Sequence, residues 1–413
     1  MLLLMNFPYQ FLIALRYFRS KKRHKGISLN TFISIAGVAL GVMTLITVLS
    51  VMSGFHKDLQ EKILGVNAHI VALTYKGRIE DYNSVQQQIR KVDGVIDAAP
   101  FIYGQVMLRS GDRAHGVVVR GIDPVEGTGT TEILHNLKSG NVNGLKESDG
   151  TPGLIVGREL LRSLGLFIGD EIDMVSPVSE VGPMGMIPKM KKFRVVGFFE
   201  AGMYEYDSSL AFINIRQAQR FFNYGESVTG IEVKTDDVYN AGKLSDDIEL
   251  MLGPPYYARD WMQMNRNLFS ALKLEKIVMF IILTLIILVA SFNIISNLIM
   301  IVIEKAREIA IIRTMGATSR GIMSIFIIHG LIIGIVGTLV GVSGGYILCQ
   351  LLKTYKFIDL PGDVYYLSYL PVRMNLFDFT VVPLAAILIT LVATIYPSWQ
   401  AAKLDPVEPL RYE

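Results

Sequence analysis

The stretch EKAREIAIIRTMGATSRG sets Glu304, Lys305, Arg307, Glu308, Arg313 and Arg320 among the apolar residues Ile309, Ile311, Ile312 and Met315. Charges of both signs interleaved with apolar residues at helical spacing suit docking: the apolar side chains enter a groove, and the charges set register and partner. Gly316 can stop one helix, and Thr318 or Ser319 can start the next. The expected product is a short helical stub whose Glu304, Lys305, Arg307, Glu308, Arg313, Met315 and Gly316 meet a protein partner. Covalent chemistry finds less support. The chain has no GxxxxGK[ST] phosphate loop, no HExxH, no Cys/His metal spacing and no GxSxG elbow. His24, His56, His69, His115, His135 and His329 are scattered, and each reads as solvated or packed. No catalytic residue and no metal ligand is expected, and the energy source has to be another polypeptide.

A second stretch of unusual composition is SPVSEVGPMGMIPKMKK, between the expected strands Glu171–Val175 and Phe193–Phe198. Its prolines restrict the backbone, and its methionines offer adaptable apolar contact. Composition fits either a protruding peptide that captures a partner or a long hairpin loop without a binding role.

These stretches need elements to hold them. The chain has 413 residues, of which 51% are hydrophobic and 19% charged, with a mean hydropathy of +0.40. That is too apolar for an ordinary soluble protein. Crossing a bilayer takes about 20 apolar residues, and four uncharged runs suffice: 27–55, 277–303, 321–352 and 379–402, the second extended by a stalk so that stalk and span cover 271–303. Arg16, Arg19, Lys21, Lys22, Arg23 and Lys25 precede the first run, and Lys305, Arg307, Arg313 and Arg320 follow the second. By the positive-inside rule, both termini and the 304–320 connection face the cytoplasm, and 56–270 is exported. Phe7, Phe11, Leu15 and Phe18 recur at helical spacing, so 1–26 is expected to hold an amphipathic helix on the inner leaflet. The segment 353–378 is a short outer loop, and 403–413 is a cytoplasmic tail.

The exported segment reads as an α+β domain. AHIVALTY, RAHGVVVRGI, KKFRVVGFF and TGIEVKT have strand character, and RELLRSLG, NIRQAQRFF and YNAGKLSDDIELML have helix character. Gly330, Gly334, Gly337, Gly341, Gly344 and Gly345 form a smooth stripe in the third run, where another backbone can approach. Ser291, Asn293, Ser296 and Asn297 put polar groups at membrane depth in the second run, suited to bonds between helices. No run has an Asp, Glu, Lys or Arg in its middle, which disfavours an ion-coupled carrier. The basic residues lie beside the runs, so nucleic acid is not an expected partner.

EKAREIAIIRTMGATSRGI resembles the coupling segment of four-span permeases of the FtsX, MacB and Lol type, and YPSWQAAKLDPVEPLRYE resembles their closing motif. ALRYFRSKKRHKGISLNTFISIAGVALGVMTLITVLSVMSGFHKDLQEKILG resembles the start of the LolC/LolE lipoprotein-releasing family, and the likeness runs over essentially the whole chain. GPMGMIPKMKKF resembles the LolC hook that recruits a periplasmic carrier. VKTDDVYNAGKLSDDI and GDVYYLSYLPVRM are closer to LolE, so a hybrid subunit is a further expectation.

The resemblance implies a four-helix membrane protein with a large α+β periplasmic domain, of MacB/FtsX-like architecture, in the bacterial inner membrane. It implies an ATP-driven complex that extracts lipoproteins from the outer leaflet and hands them to a LolA-like carrier. A LolD-like ATPase dimer would use ATP and Mg, and a second LolC/LolE-type permease, paralogue or self, would complete the complex. The hook at 177–190, with Lys191 beside it, would set Pro183, Met184, Gly185, Met186, Ile187, Pro188 and Lys191 against the carrier. Three acyl chains exposed to water would cost on the order of 30 kcal/mol at ~0.8 kcal/mol per methylene, so the chains must pass between protein surfaces. Leu45, Leu49, Met52, Phe55, Phe269, Leu272 and Phe280 are the expected acyl-facing wall. The alternatives are a MacB-like exporter, an FtsX-like regulator of a periplasmic hydrolase, and a membrane-anchored scaffold.

Overall fold

Uninterrupted apolar runs fold as helices because a backbone in hydrocarbon must bond to itself. The computed structural model describes residues 9–19, 25–135, 137–146, 150–182, 185–355 and 370–403. Most of the expected outer loop, the tail beyond Lys403, Phe7, Pro183 and Met184 lie outside the described residues. The chain divides into a helical unit, Met1–His56 with Leu272–Phe357 and Leu370–Glu413, and a sheet unit built mainly of Lys57–Ala271.

The helices of the membrane part are α1 (Tyr9–Arg19), α2 (Lys25–Val66), α3 (Arg266–Glu304), α4 (Ala306–Thr314), α5 (Ser319–Tyr355) and α6 (Asp378–Lys403). Among the described residues three helices are long and apolar enough to cross a bilayer, or four when Leu288–Glu304 and Ala306–Thr314, bent by 61°, count as one span. Helix α2 runs on past the expected end at residue 55 to Val66 without a break.

The glycine stripe of α5 seats two neighbours. A Cβ at Gly330 would lie 2.0 Å from Thr394 Cγ2 on α6, and one at Gly341 would lie 2.8 Å from Val42 Cβ on α2. Such close approach supplies the packing that apolar side chains lack in lipid. Helix α1 packs through Ala14, which is buried with Ile301, Ile309, Ile322, Phe326 and Ala401. Ala14 lies beside the aromatic stripe read from the sequence, whose Leu15 and Phe18 side chains are not described.

Among the described residues the sheet unit has ten strands: β1 (Ile70–Thr74), β2 (Val95–Ser110), β3 (Arg113–Ile122), β4 (Ser139–Gly140), β5 (Gly153–Gly157), β6 (Glu171–Gly182), β7 (Gly185–Phe199), β8 (Leu210–Asn214), β9 (Gly230–Thr235) and β10 (Tyr256–Asp260). Their order is β10-β1-β9-β2-β3-β8-β5-β7-β4, with β6 paired to β2 and β7. The β3–β8 and β5–β7 pairs are parallel. The helix Ile215–Phe222 covers one face, made possible by Gly121 against Ala218 and Gly104 against Phe222. On the other face Arg120 and Glu232 form a buried ion pair. Arg120 Nη1 also donates to the Val66 carbonyl at 2.9 Å, and Thr131 Oγ1 donates to Glu232 Oε2 at 3.2 Å. The pair thereby ties the end of α2 to the sheet.

Candidate functional site

The stub between α3 and α5 is held from one side and open on the other. Ile309 and Ala310 are buried, Ile309 in the cluster with Ile301, Val302, Ile322 and Phe326. Gly316, at φ +100°, ends α4 as expected: its N–H donates to the Arg313 carbonyl at 3.0 Å, and that of Ala317 donates to Ile312 at 3.2 Å. This is a Schellman stop, which only glycine enters without strain. Thr318 then caps α5, its Oγ1 accepting from Gly321 N at 3.2 Å.

Of the expected contact residues, Glu304, Arg307, Glu308, Met315 and Gly316 are exposed. Lys305 instead turns inward and pairs with Glu308, and Arg313 is half-buried with Nη2 donating to Ser319 Oγ at 3.4 Å. Met315 is 82% exposed and Ile311 45%. The sequence reading left Ile311 out of the contact set, although its spacing of four from both Arg307 and Met315 marks the same face.

The proline- and methionine-rich insert is a β-hairpin. The strands expected to stop at Val175 and resume at Phe193 continue outward, with Ser179 opposite Pro188, Glu180 opposite Ile187 and Gly182 opposite Gly185. Pairing is irregular between Val175 and Ser179, where Pro177 falls; beyond it the ladder resumes. Composition hid this because proline lowers strand propensity, yet an edge or a bulge accommodates it. Gly185, Met186 and Ile187 are described as strand backbone only, and Pro188 is exposed. Lys191 Nζ donates to Gln217 Oε1 at 2.7 Å and Lys189 Nζ to Asn223 Oδ1 at 2.6 Å, so the hairpin base is fastened to the helix Ile215–Phe222 and its cap.

Leu45 and Leu49 line an apolar cleft of about 230 Å³ between α2, α3 and α6. Met52, Phe55 and Leu272 are half-buried, and the Phe280 side chain is not described. Phe269 belongs to the sheet unit, where its ring meets Trp261 edge-on at 5.0 Å. The cleft's other wall is Val381, Ala385 and Ile389 of α6. The sequence reading missed these residues; their spacing of four was the available signal.

A polar groove of about 590 Å³ runs along α2 and α3, lined by Ser34, Asn293, Ser296 and Asn297 with Ile33 and Phe292 among the flanking apolar residues. Ser34 is 1% exposed, and neither its hydroxyl nor the buried carboxamide of Asn297 has a hydrogen-bond partner among the described residues.

Comparison with known proteins agrees with this architecture. Residues 280–406 match the FtsX-like permease C-terminal family, and residues 31–250 match the MacB-like periplasmic core domain. The chain is similar to the lipoprotein-releasing system transmembrane protein LolC of Xylella fastidiosa (strain Temecula1 / ATCC 700964), with 38% identity over 98% of this chain and 99% of the relative. It is similar to LolC of Neisseria meningitidis serogroup B, with 37% identity over 97% and 98%. It is also similar to LolE of Haemophilus influenzae, with 31% identity over 98% and 99%.

Proposed function

The chain belongs to the LolC/LolE family of lipoprotein-releasing transmembrane proteins and is a permease subunit of such a system; on that premise we propose that it couples ATP hydrolysis by a separate subunit to lipoprotein extraction and handover. It is a membrane permease with a periplasmic domain, the sheet unit. Both termini and α4 then face the cytoplasm, in keeping with the basic residues beside them.

The observation that carries the reading is the stub: a helix anchored by Ile309 and Ala310 that leaves Ile311 and Met315 open to a partner. Apolar side chains this exposed on a charged element suit a groove on a LolD-like ATPase, which would bind ATP and Mg in place of this chain. The 177–190 hairpin would engage a LolA-like carrier, supported by its reach beyond the sheet and by the fastening of its base. Leu45 and Leu49 in the apolar cleft would face acyl chains or membrane lipid. The polar groove supports a second permease as partner, because hydrocarbon cannot satisfy Ser34 and Asn297. A second copy of this chain suits a carboxamide, which is both donor and acceptor and so can pair with itself across a two-fold axis.

Co-purification separates the roles. Deleting 183–188 should abolish carrier pull-down and leave ATPase assembly intact. Joint Arg307→Glu and Met315→Asp substitution should release the ATPase and leave carrier capture unchanged. Retention of the ATPase by that double variant would remove α4 from the coupling role.

A further inference from the structure

The sheet unit holds a cavity of about 440 Å³ on the face opposite the helix Ile215–Phe222. Strand register gathers its lining on that one face: Val71 pairs with Glu232, Tyr103 with Arg120, and Val118 with Leu210. The floor is apolar, made by Val71, Leu73, Phe101, Val118 and Leu210. Gly230 keeps it open, since a Cβ there would lie 2.7 Å from Leu73 Cδ2. Tyr103, 48% exposed, stands at the rim. Size and lining are those of a small-ligand site, which is typically ~300–1,000 Å³ and apolar with a few placed polar groups.

Two features decide the ligand class. The lining strands β1, β9, β2, β3 and β8 are consecutive, and each is bonded to a neighbour on both sides. No ladder edge is open to a peptide, whose amides would lie unpaired over apolar side chains. The buried charges Arg120 and Glu232 answer each other and offer a simple ion nothing, and the other lining carboxylate, Glu205, is exposed to water. Besides Tyr103 at the rim, the Tyr206 hydroxyl is in place to donate. The Tyr206 hydroxyl accepts from Asn67 Nδ2 at 2.7 Å and so has its own proton to give. Burial raises the pKa of that phenol further above neutrality.

We propose that this cavity takes one fatty acyl chain, its methylenes over Val71, Leu73, Phe101 and Leu210 and its ester or amide carbonyl on the Tyr206 hydroxyl. The chemical class rests on the lipoprotein-release reading; the place does not, being set by the sheet. An acyl chain held here is shielded from water within the periplasmic domain itself, outside the membrane helices.

The test is photolabelling of the full chain, assembled with its ATPase, by methyl palmitate carrying a mid-chain diazirine, followed by mapping of the adducts. Adducts are expected on the cavity floor, competed by plain methyl palmitate and not by an apolar decapeptide. Leu73→Trp, which fills the floor, should reduce them about tenfold or more. Tyr206→Phe keeps the ring and should reduce them about two- to tenfold, while labelling by diazirine-bearing hexadecane stays equal to wild type. Should Leu73→Trp fail to fold, the Tyr206→Phe comparison decides. Adducts confined to α2, α3, α5 and α6, displacement by the peptide, or indifference to Tyr206→Phe would overturn the proposal. Lipoprotein release to the carrier is measured on the same preparation: release without cavity adducts overturns the cavity alone, and ester-dependent adducts without release overturn the lipoprotein reading and support the cavity.

Discussion

The two units differ in how they treat some of their buried polar groups. In the sheet unit Arg120, Glu232, Thr131 and the Val66 carbonyl close a circuit in which each charge meets a counter-charge and a further hydrogen bond. In the helical unit Ser34, Ser50, Asn297 and Thr338 hold buried side-chain atoms that find no partner among the described residues. Cores differ in kind as well. Phe193, Phe199, Phe212 and Trp261 fill the sheet unit, whereas α5, apart from Phe326 and its neighbours at the stub, meets α2 and α6 through glycines. A domain in water gains by burying large apolar side chains and must satisfy its own polar groups. A helical unit in lipid gains little from apolar burial and can leave polar groups for other chains to meet. The sheet unit thus answers this charge pair from within, and the helical unit leaves polar side chains open to another chain.

The sharpest way to break this contrast is to open the closed circuit. Glu232→Leu leaves Arg120 buried without its carboxylate and should cost about 3–5 kcal/mol of stability. Joint Arg120→Met and Glu232→Leu removes both charges and should recover most of that loss, because desolvation offsets much of a buried pair's attraction. Thermal unfolding of the full chain in detergent measures both. A loss below about 1 kcal/mol in the single variant would mean that the circuit is dispensable.

The opposite intervention sits in the polar groove. Asn297→Leu should leave the chain's own folding unchanged, since the carboxamide bonds to nothing described within it. It should weaken permease–permease pairing by about 0.6–2 kcal/mol, or roughly three- to thirtyfold. Energy transfer between differently labelled copies in proteoliposomes reads the association. An unchanged transfer curve, with unfolding shifted instead, would reassign Asn297 to packing within the chain.

How much of this was legible in the sequence depends on the range of the interaction. Hydropathy located the long helices because every residue of a run votes alike, and Gly316 with Thr318 announced the stub's turn because capping acts over a few residues. The pairing that turns the 176–192 insert into a hairpin was hidden, since register comes from the partner strand and overrides the proline signal at Pro177 and Pro188. Nothing in TGIEVKT marks Glu232 as half of a buried pair; its partner Arg120 lies 112 residues away, and only the fold joins them. The cleft failed for the same reason: Leu45 was recognisable as apolar, but its facing residues Val381 and Ile389 are set by how α6 packs.

Asp207 marks where the sheet unit comes nearest to the helical unit's condition. It is 5% exposed, and its two oxygens accept from Ala201 N at 2.7 Å and Gly202 N at 3.2 Å. Those bonds favour the carboxylate, but burial outweighs them and pushes its pKa up to about 6 from an ordinary 3.8, with Glu200 and Glu159 adding repulsion. The folded chain therefore holds this proton more tightly than the unfolded chain does. Its stabilising contribution is complete below pH 3.8 and is lost as pH rises through about 6. Asp207→Asn abolishes the titration and keeps an acceptor for one of the two N–H groups. The wild-type unfolding midpoint should accordingly fall by a few degrees more than the variant's between pH 5 and pH 7.5. Parallel pH profiles for the two proteins would show that the carboxylate is satisfied as an anion after all, and the sheet unit would then be self-sufficient at this position too.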